Sequence, residues 1–73
     1  MKQEIGHRIK ELRIEKLHIT QEEFADMLGY DRTYLSRVES GKQNITINTL
    51  TFICSKLQIS LAEFFKSFVK IEN

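Results

Sequence analysis

The sequence predicts an all-α fold of five helices without a strand. Three observations lead to this prediction: apolar residues recur at helical spacing, one helix-start pattern occurs four times, and the 73 residues include no Pro and only three Gly. With so few of these two residue types, we expect few loops. We therefore expect one compact domain that covers residues 1–73.

The repeated start pattern is a polar capping residue with one apolar residue directly before it and another four positions after it. This hydrophobic staple fixes where the chain enters a helix. It occurs around Thr20, Asp31, Thr46 and Ser60. Thr20 and Ser60 are each followed three positions later by Glu, which predicts the two reciprocal hydrogen bonds of a capping box.

Apolar spacing gives the remaining boundaries. The first helix is predicted over about residues 2–15, with Leu17 and Ile19 in a turn that closes over its apolar face. The fourth and fifth helices, about residues 47–57 and 61–69, repeat apolar residues at i, i+3, i+4 and i+7. Each of these helices therefore has one side to bury.

Size and charge limit the possible functions without selecting one. A core this small rarely supplies more than about 3–5 kcal/mol of net stability, which favours a dimer. The formal net charge is +1, whereas a nucleic-acid-binding domain is often strongly basic. Residues 32–44 contain three basic residues and one acidic residue, so their local charge is +2. Charge therefore neither establishes nor excludes DNA binding.

Several classes of site are not expected. The single Cys54 cannot form an internal disulfide, and no apolar run approaches the ~20 residues of a membrane span. With no leader segment in view, we expect a soluble, cytoplasmic protein without membrane contact. His7 and His18 lack the spacing of metal ligands. No nucleophile–base arrangement or glycine-rich phosphate loop is present, so neither an enzyme nor a cofactor is expected.

Residues 20–39 are the most informative segment. They contain two short helices around Gly29, a residue type that ends a helix without strain because it adopts the left-handed conformation. Ala25 is small where the two helices would cross, and Leu35 and Val38 form the inward side of the second helix. Two helices joined in this way form a helix-turn-helix, whose second helix enters the major groove of DNA.

The outward side of this second helix is entirely polar. At about 100° per residue it covers an arc of roughly 140°, and it comprises Arg32, Ser36, Ser40, Thr33 and Arg37. Guanidinium groups can bind guanine through two hydrogen bonds, and hydroxyl groups can bind bases or phosphates. We predict that the two arginines, Thr33 and Ser36 recognise bases. Tyr34 lies at the edge of this side, where contact with DNA and partial packing in the core are both open.

A second group of polar residues is predicted to bind the DNA backbone. Gln21 opens the first helix of the pair, where free N–H groups and the positive end of the helix dipole attract phosphate. The other predicted backbone contacts are Ser40, Lys42, Gln43 and Asn44, at and after the end of the second helix. For the loop residues, a merely solvated turn is the alternative.

The C-terminal part of the chain carries more aromatic residues than a small core needs. Phe52 lies off the apolar stripe of its helix, and Phe65, Phe68 and Val69 enlarge the apolar surface further. Such a surplus favours self-association, so these four residues are predicted to form a dimer interface, mainly through the helix at residues 60–69. One extended core is the alternative.

The residues of the central segment resemble a known family. Residues 20–25 (TQEEFA), Gly29 and residues 38–42 (VESGK) match the phage-repressor-like, or Xre-type, helix-turn-helix domains. Residues 31–36 and 44–46 look more specifically like the controller proteins of bacterial restriction–modification systems. The resemblance implies a compact five-helix, repressor-like DNA-binding domain.

The resemblance also implies partners and contacts. It implies a homodimer that binds short palindromic operators in double-stranded DNA, activating transcription at low occupancy and repressing it at high occupancy, with RNA polymerase as a further partner. It implies base contact by the polar residues of the second motif helix and backbone contact by Gln21. It further implies a buried structural ion pair between Arg13 and Glu39.

Two alternatives stay open. Arg37, Ser40 and Gln43 depart from the pattern of several relatives, which leaves the operator sequence undetermined and allows a general Xre-type repressor. The alternative from another class is a protein-interaction module, such as an antitoxin or an anti-repressor partner, whose dominant contact is with protein.

Overall fold

The computed structural model describes residues 2–66 and residue 68, which form helices and no strand. The helices are α1 (Lys2–Leu12), α2 (Gln21–Leu28), α3 (Arg32–Glu39), α4 (Ile47–Leu57) and α5 (Leu61–Lys66). A π-helical turn (Arg13–Leu17) extends α1. The prediction of an all-α fold with five helices is confirmed. Within the described ranges, no helix has both the length and the apolar character needed to cross a membrane.

The predicted capping residues begin the helices as expected. Thr20 Oγ1 accepts a hydrogen bond from the Glu23 N–H at 3.1 Å, and Glu23 Oε1 accepts one from the Thr20 N–H at 2.8 Å, which completes a capping box. The pKa of the Glu23 carboxyl is lowered below its usual value, mainly because the Thr20 backbone N–H donates a hydrogen bond to it. The other three caps accept equivalent N–H bonds of 2.9 to 3.1 Å: Asp31 from Thr33, Thr46 from Thr49, and Ser60 from Glu63.

One apolar core joins all five helices. Each helix supplies a fully buried side chain: Ile9, Phe24, Leu35, Ile53 and Phe64, in chain order. Burying a side chain of this size contributes about 1.5–3 kcal/mol before the entropy of ordering the chain is subtracted. The apolar residues before the four caps are half-buried against this core, so the staples contribute to packing as well as to helix entry.

Glycine allows α1 to lie directly against the C-terminal end of α3. A Cβ atom at Gly6 would overlap the Val38 carbonyl oxygen and lie 2.9 Å from the Glu39 carbonyl oxygen. At Gly41, whose φ is 80°, a Cβ atom would lie 2.7 Å from the Gln3 Cα. Side chains on this face of α1 therefore reach the residues at the end of α3.

Two predicted boundaries are wrong. The α-helical part of α1 ends at Leu12 rather than near residue 15, and Leu17 lies in the π-helical turn. That turn closes where the N–H of His18, whose φ is 54°, donates to the Arg13 carbonyl at 3.1 Å. Apolar spacing cannot distinguish this bond from residue i to i+5 from the ordinary bond to i+4.

The fifth helix is also shorter than predicted. It ends at Lys66, and Phe68 lies in a turn with its N–H donating to the Phe65 carbonyl at 2.9 Å. A bond between residues three apart tightens the backbone beyond the geometry of an α-helix. Val69, predicted in this helix, lies outside the described residues.

Candidate nucleic-acid interface

The helices α2 and α3 are joined by the predicted glycine turn. Gly29 ends α2 with a φ of 73°, and its N–H donates to the carbonyls of Ala25 and Asp26. Ala25, Leu35 and Val38 are buried, so the packed side of the helix pair is apolar. This packing holds α3 with its polar side in solvent.

The polar side of α3 contributes to an open groove. Arg32, Thr33, Ser36 and Arg37 are exposed, and they line a groove of about 350 Å³ together with Gln21 from the start of α2. We call this the α3 groove. None of its five lining residues is acidic. It combines guanidinium, hydroxyl and amide donors, which are the groups that bind base edges and phosphates.

Each arginine of the α3 groove has a polar neighbour. Arg32 Nη1 lies 3.6 Å from Glu22 Oε2, and the two side chains are 64% and 69% exposed. Arg37 Nε donates to Gln43 Oε1 at 3.5 Å. Glu22 is not among the residues predicted for the site, because the contact joins two helices and no spacing within one helix indicates it.

Tyr34 is half-buried at the edge of the α3 groove. Its ring packs edge-on against Tyr30, with centroids 5.1 Å apart, and Tyr30 packs edge-on against Phe52 at 6.0 Å. Burial, more than the neighbouring Tyr34, raises the pKa of Tyr30, while a hydrogen bond with Thr49 opposes this. Partial core packing is therefore present at Tyr34, and its contact with DNA stays a prediction.

Arg13 and Glu39 form a buried ion pair. Arg13 Nε donates to Glu39 Oε2 at 2.9 Å and Nη2 donates to Oε1 at 3.0 Å, and the side chains are only 7% and 2% exposed. Arg13 Nη1 also donates to the Ile19 carbonyl at 2.8 Å, and Gln21 Nε2 donates to Glu39 Oε1 at 3.2 Å. The pair thus connects the π-helical turn, the start of α2 and the end of α3.

The loop after α3 contains the other residues predicted to bind the backbone. Lys42 and Asn44 are exposed, whereas Gln43 is half-buried and its Nε2 donates to the Asn44 carbonyl at 3.3 Å. Ser40 Oγ donates to the Arg37 carbonyl at 3.2 Å, so its proton is engaged within the protein. Lys42 and Asn44 are therefore more open to a ligand than Ser40 and Gln43.

The residues predicted for a dimer interface lie in two places. Phe52 on α4 is 39% exposed, and Lys56 Nζ lies 5.6 Å from the centroid of its ring. Phe65 and Phe68 are half-buried and pack edge-on with Phe64, at centroid distances of 5.2 to 5.9 Å. Packing against the core therefore uses part of this aromatic surface and leaves part of it exposed.

Comparison with known proteins agrees with this arrangement. The family model described as helix-turn-helix matches residues 9–64. Control protein C.MunI of Mycoplasma sp is 42% identical over 65 residues, which cover 89% of this chain and 88% of that protein. Antitoxin PezA of Streptococcus pneumoniae serotype 4 (strain ATCC BAA-334 / TIGR4) is 40% identical over 60 residues, but these cover only 37% of PezA against 81% of this chain.

Solved structures give a matching result. The crystal structure of the wild-type restriction–modification controller protein C.Esp1396I has a TM-score of 0.78 and 37% identity, and the match covers 89% of this chain and 84% of that one. The values are the same for the C.Esp1396I tetramer in complex with its natural 35 base-pair operator. The chain belongs to the helix-turn-helix family and, within it, to the restriction–modification controller proteins.

Proposed function

We propose that this chain regulates transcription as the controller protein of a restriction–modification system, by binding a specific DNA sequence. The α3 groove is the observation that carries this function, because it presents two arginines and several neutral donors on one exposed side. In the major groove, α3 would contact bases through Arg32, Thr33, Tyr34, Ser36 and Arg37. The backbone would be contacted by Gln21, Ser40, Lys42, Gln43 and Asn44.

We further propose that the active form is a homodimer on a palindromic operator. C.Esp1396I binds its operator as a tetramer, which supports assembly of this chain on DNA. Phe52, Phe65 and Phe68 offer the apolar surface for such an interface, with Val69 as a further candidate. Two-fold symmetry would place the two α3 helices about 34 Å apart, at half-sites one helical turn apart.

We propose the effect on transcription by analogy with the restriction–modification controller proteins. An operator-bound dimer would activate its own promoter through contact with RNA polymerase at low occupancy, and further copies would repress it at high occupancy. Because the operator lies on cellular DNA, the cytoplasm is the proposed location.

A second candidate is an antitoxin-type role in which the main partner is a protein. The similarity to PezA supports it. It is the weaker candidate, because the shared region is 37% of PezA but 88% of C.MunI. The two candidates differ in the main partner, which is DNA for a controller and a protein for an antitoxin-type module.

Competition gel shifts test the proposed function. Overlapping duplexes that cover the DNA upstream of the chain's own gene serve as probes, and a random-sequence duplex of equal length serves as competitor. We expect one upstream duplex to be retained when the competitor is in 1000-fold excess, since specific binding typically exceeds non-specific binding by about 10³ or more. Equal competition by the random duplex would contradict specific recognition.

A further inference from the structure

A second groove borders the α3 groove, and two of its lining residues, Lys10 and Glu39, have no role in the DNA contacts proposed so far. It has a volume of about 180 Å³ and is lined by Lys10, Gln21, Ser36, Glu39 and Ser40. Gln21 and Ser36 line both grooves, so the two form one continuous polar surface. The second groove differs from the first in containing a residue of α1, Lys10.

The position of Lys10 follows from the close packing of α1 on α3. Gly6 lies where any Cβ atom would meet the backbone at the end of α3, and Lys10 follows it by one helical turn on the same face. Lys10 is exposed, and no carboxylate among the described residues pairs with its ammonium group. Its charge is therefore open to a ligand at the groove.

The acidic residue in this groove is already neutralised. Glu39 is held by Arg13 through two hydrogen bonds, and both side chains are buried. The charge of Lys10 is consequently the net charge of the groove, which suits an anion rather than a cation. A DNA phosphate is the anion that the continuity with the α3 groove would bring here.

Gln21 is oriented for the same ligand. Its Nε2 donates to Glu39 Oε1 at 3.2 Å, and because a carboxylate only accepts hydrogen bonds, this contact determines which end of the amide faces Glu39. One hydrogen of Nε2 is then used within the protein, and the second is left for another acceptor. Arg13 and Glu39 are thus positioning residues for Gln21.

We propose that Lys10 and Gln21 together bind one phosphate of the DNA backbone, so that α1 takes part in the interface. This inference deepens the proposed function and depends on it for the presence of DNA. It adds a contact from outside the helix-turn-helix, near the C-terminal end of α3, whereas the Arg32–Glu22 contact lies at the start of α3. The contact would be independent of base sequence, as phosphate contacts are.

Salt dependence of binding tests this contact. Affinities of the full chain and of Lys10→Gln are measured by fluorescence anisotropy, on the retained upstream duplex and on a random duplex, at about 50 and 200 mM salt. One lost phosphate contact reduces the slope of log affinity against log salt by about 0.9 for each bound subunit. The ratio of the wild-type affinity to the Lys10→Gln affinity should therefore fall about 3.5-fold per subunit between the two salt concentrations. The fall should be equal on both duplexes.

Two further variants separate this contact from general effects. Lys16→Gln removes another exposed charge, which lines neither groove, and it should leave the salt slope unchanged. Gln21→Ala should weaken binding less in the Lys10→Gln background than in the wild-type chain, because both residues hold the same phosphate. Circular dichroism checks that each variant is folded.

The outcomes distinguish this contact from the proposed function. If the wild-type chain prefers the upstream duplex but Lys10→Gln behaves like Lys16→Gln, the α1 contact is wrong and the proposed function stands. If the wild-type chain shows no preference but Lys10→Gln still lowers the salt slope on random DNA, the phosphate contact stands without sequence-specific regulation. Additive effects of Lys10→Gln and Gln21→Ala would contradict a shared phosphate.

Discussion

The Arg13–Glu39 and Arg32–Glu22 contacts have opposite surroundings. The Arg13–Glu39 pair is almost fully buried and has two short hydrogen bonds, whereas the Arg32–Glu22 pair is mostly exposed and separated by 3.6 Å. A buried pair must stay complete because a lone buried charge is costly, while an exposed pair is screened by water and contributes little. The first pair is therefore structural, and the second leaves Arg32 free to exchange its partner for DNA.

The buried pair gives a prediction about stability. Glu39→Gln should destabilise the fold by about 3–5 kcal/mol, because Arg13 would keep its buried charge without a carboxylate. The double variant with Arg13→Met and Glu39→Leu should recover much of this loss, since no buried charge remains. Urea unfolding followed by circular dichroism measures both. A loss in Glu39→Gln no larger than that of an exposed substitution would show that the pair is not structural.

The exposed arginines give a prediction about specificity. Arg32→Ala and Arg37→Ala should each weaken binding to the upstream duplex by about 1–3 kcal/mol, while binding to random DNA changes much less. Glu22→Gln is the matched control, because it removes the partner of Arg32 and keeps the guanidinium. It should retain the preference for the upstream duplex. Anisotropy titrations on both duplexes measure these affinities. If the two alanine variants kept the full preference for the upstream duplex, base contact by Arg32 and Arg37 would be excluded.

At the residue scale, the sequence predicts which residues share the exposed side of α3, but it does not predict which side chains contact one another. Helical spacing correctly groups Arg32, Thr33, Ser36 and Arg37 on one exposed side, because the period of an α-helix is local. The bond from Gln21 to Glu39 joins residues 18 positions apart and depends on how α2 and α3 pack. The positions of Glu22 beside Arg32 and of Lys10 beside the end of α3 also depend on how the helices pack, so spacing within one helix does not predict them.

At the scale of helices, the start signals are predicted well and the ends less well. Each start needs only a capping side chain and the three or four residues after it, all adjacent in sequence. The ends of α4 and of the π-helical turn use left-handed residues that are not glycine, Gln58 and His18. These residue types rarely adopt that conformation, so the sequence carries little signal for either end.

The packing of α1 on α3 predicts an unusual response to alanine. In an exposed helix, Gly→Ala is stabilising by about 1 kcal/mol. Gly6→Ala should instead destabilise the fold by about 1–3 kcal/mol, because the new Cβ atom would overlap the Val38 carbonyl and separate the helices. Thermal and urea unfolding measure the change. Stabilisation of the Gly6→Ala variant would mean that α1 does not touch the backbone of α3.

Gly29→Ala is the control for this experiment. Nothing lies within 4 Å of a Cβ atom at Gly29, but its φ of 73° is strained for alanine. The expected loss is about 1–2 kcal/mol from backbone strain alone, with no change in how α1 packs.

The capping box of α2 predicts a pH dependence. Hydrogen bonding to Thr20 lowers the pKa of Glu23 in the folded state below its usual 4.5. The stabilisation is therefore present above that value and is lost as the pH falls through the lower folded pKa. Glu23→Gln keeps a side chain that can accept the same bond but does not titrate. The wild-type chain should lose more thermal stability than Glu23→Gln between neutral pH and about pH 3; superimposable profiles would contradict the lowered pKa.

For the whole molecule, the central issue is how a domain of 73 residues with a net charge of +1 would bind its proposed operator. Three of the eleven basic residues, Arg32, Arg37 and Lys10, line the two adjoining grooves, and the one acidic residue there, Glu39, is paired with Arg13. A dimer doubles this surface and places two α3 helices along one duplex. Assembly is thus as important to the proposed function as the residues of a single α3.

The dimer gives a prediction about molecular mass. Phe65→Ser should shift sedimentation equilibrium towards monomer and weaken operator binding, because it places a hydroxyl in the proposed interface. Phe52→Ser, on a more exposed ring, should act in the same direction with less effect on the core. Ile47→Ala is the control, because Ile47 is 59% exposed and lies outside the proposed interface. A wild-type chain that stays monomeric at concentrations that saturate the operator would exclude the dimer.

Hydroxyl-radical footprinting of the wild-type chain on the retained upstream duplex tests specific binding by paired α3 helices most directly. We expect two protected half-sites related by two-fold symmetry, with their centres about 10–10.5 base pairs apart, and loss of both in Arg32→Ala. Uniform protection along the duplex, or a single protected site that survives Arg32→Ala, would contradict specific binding by two paired α3 helices.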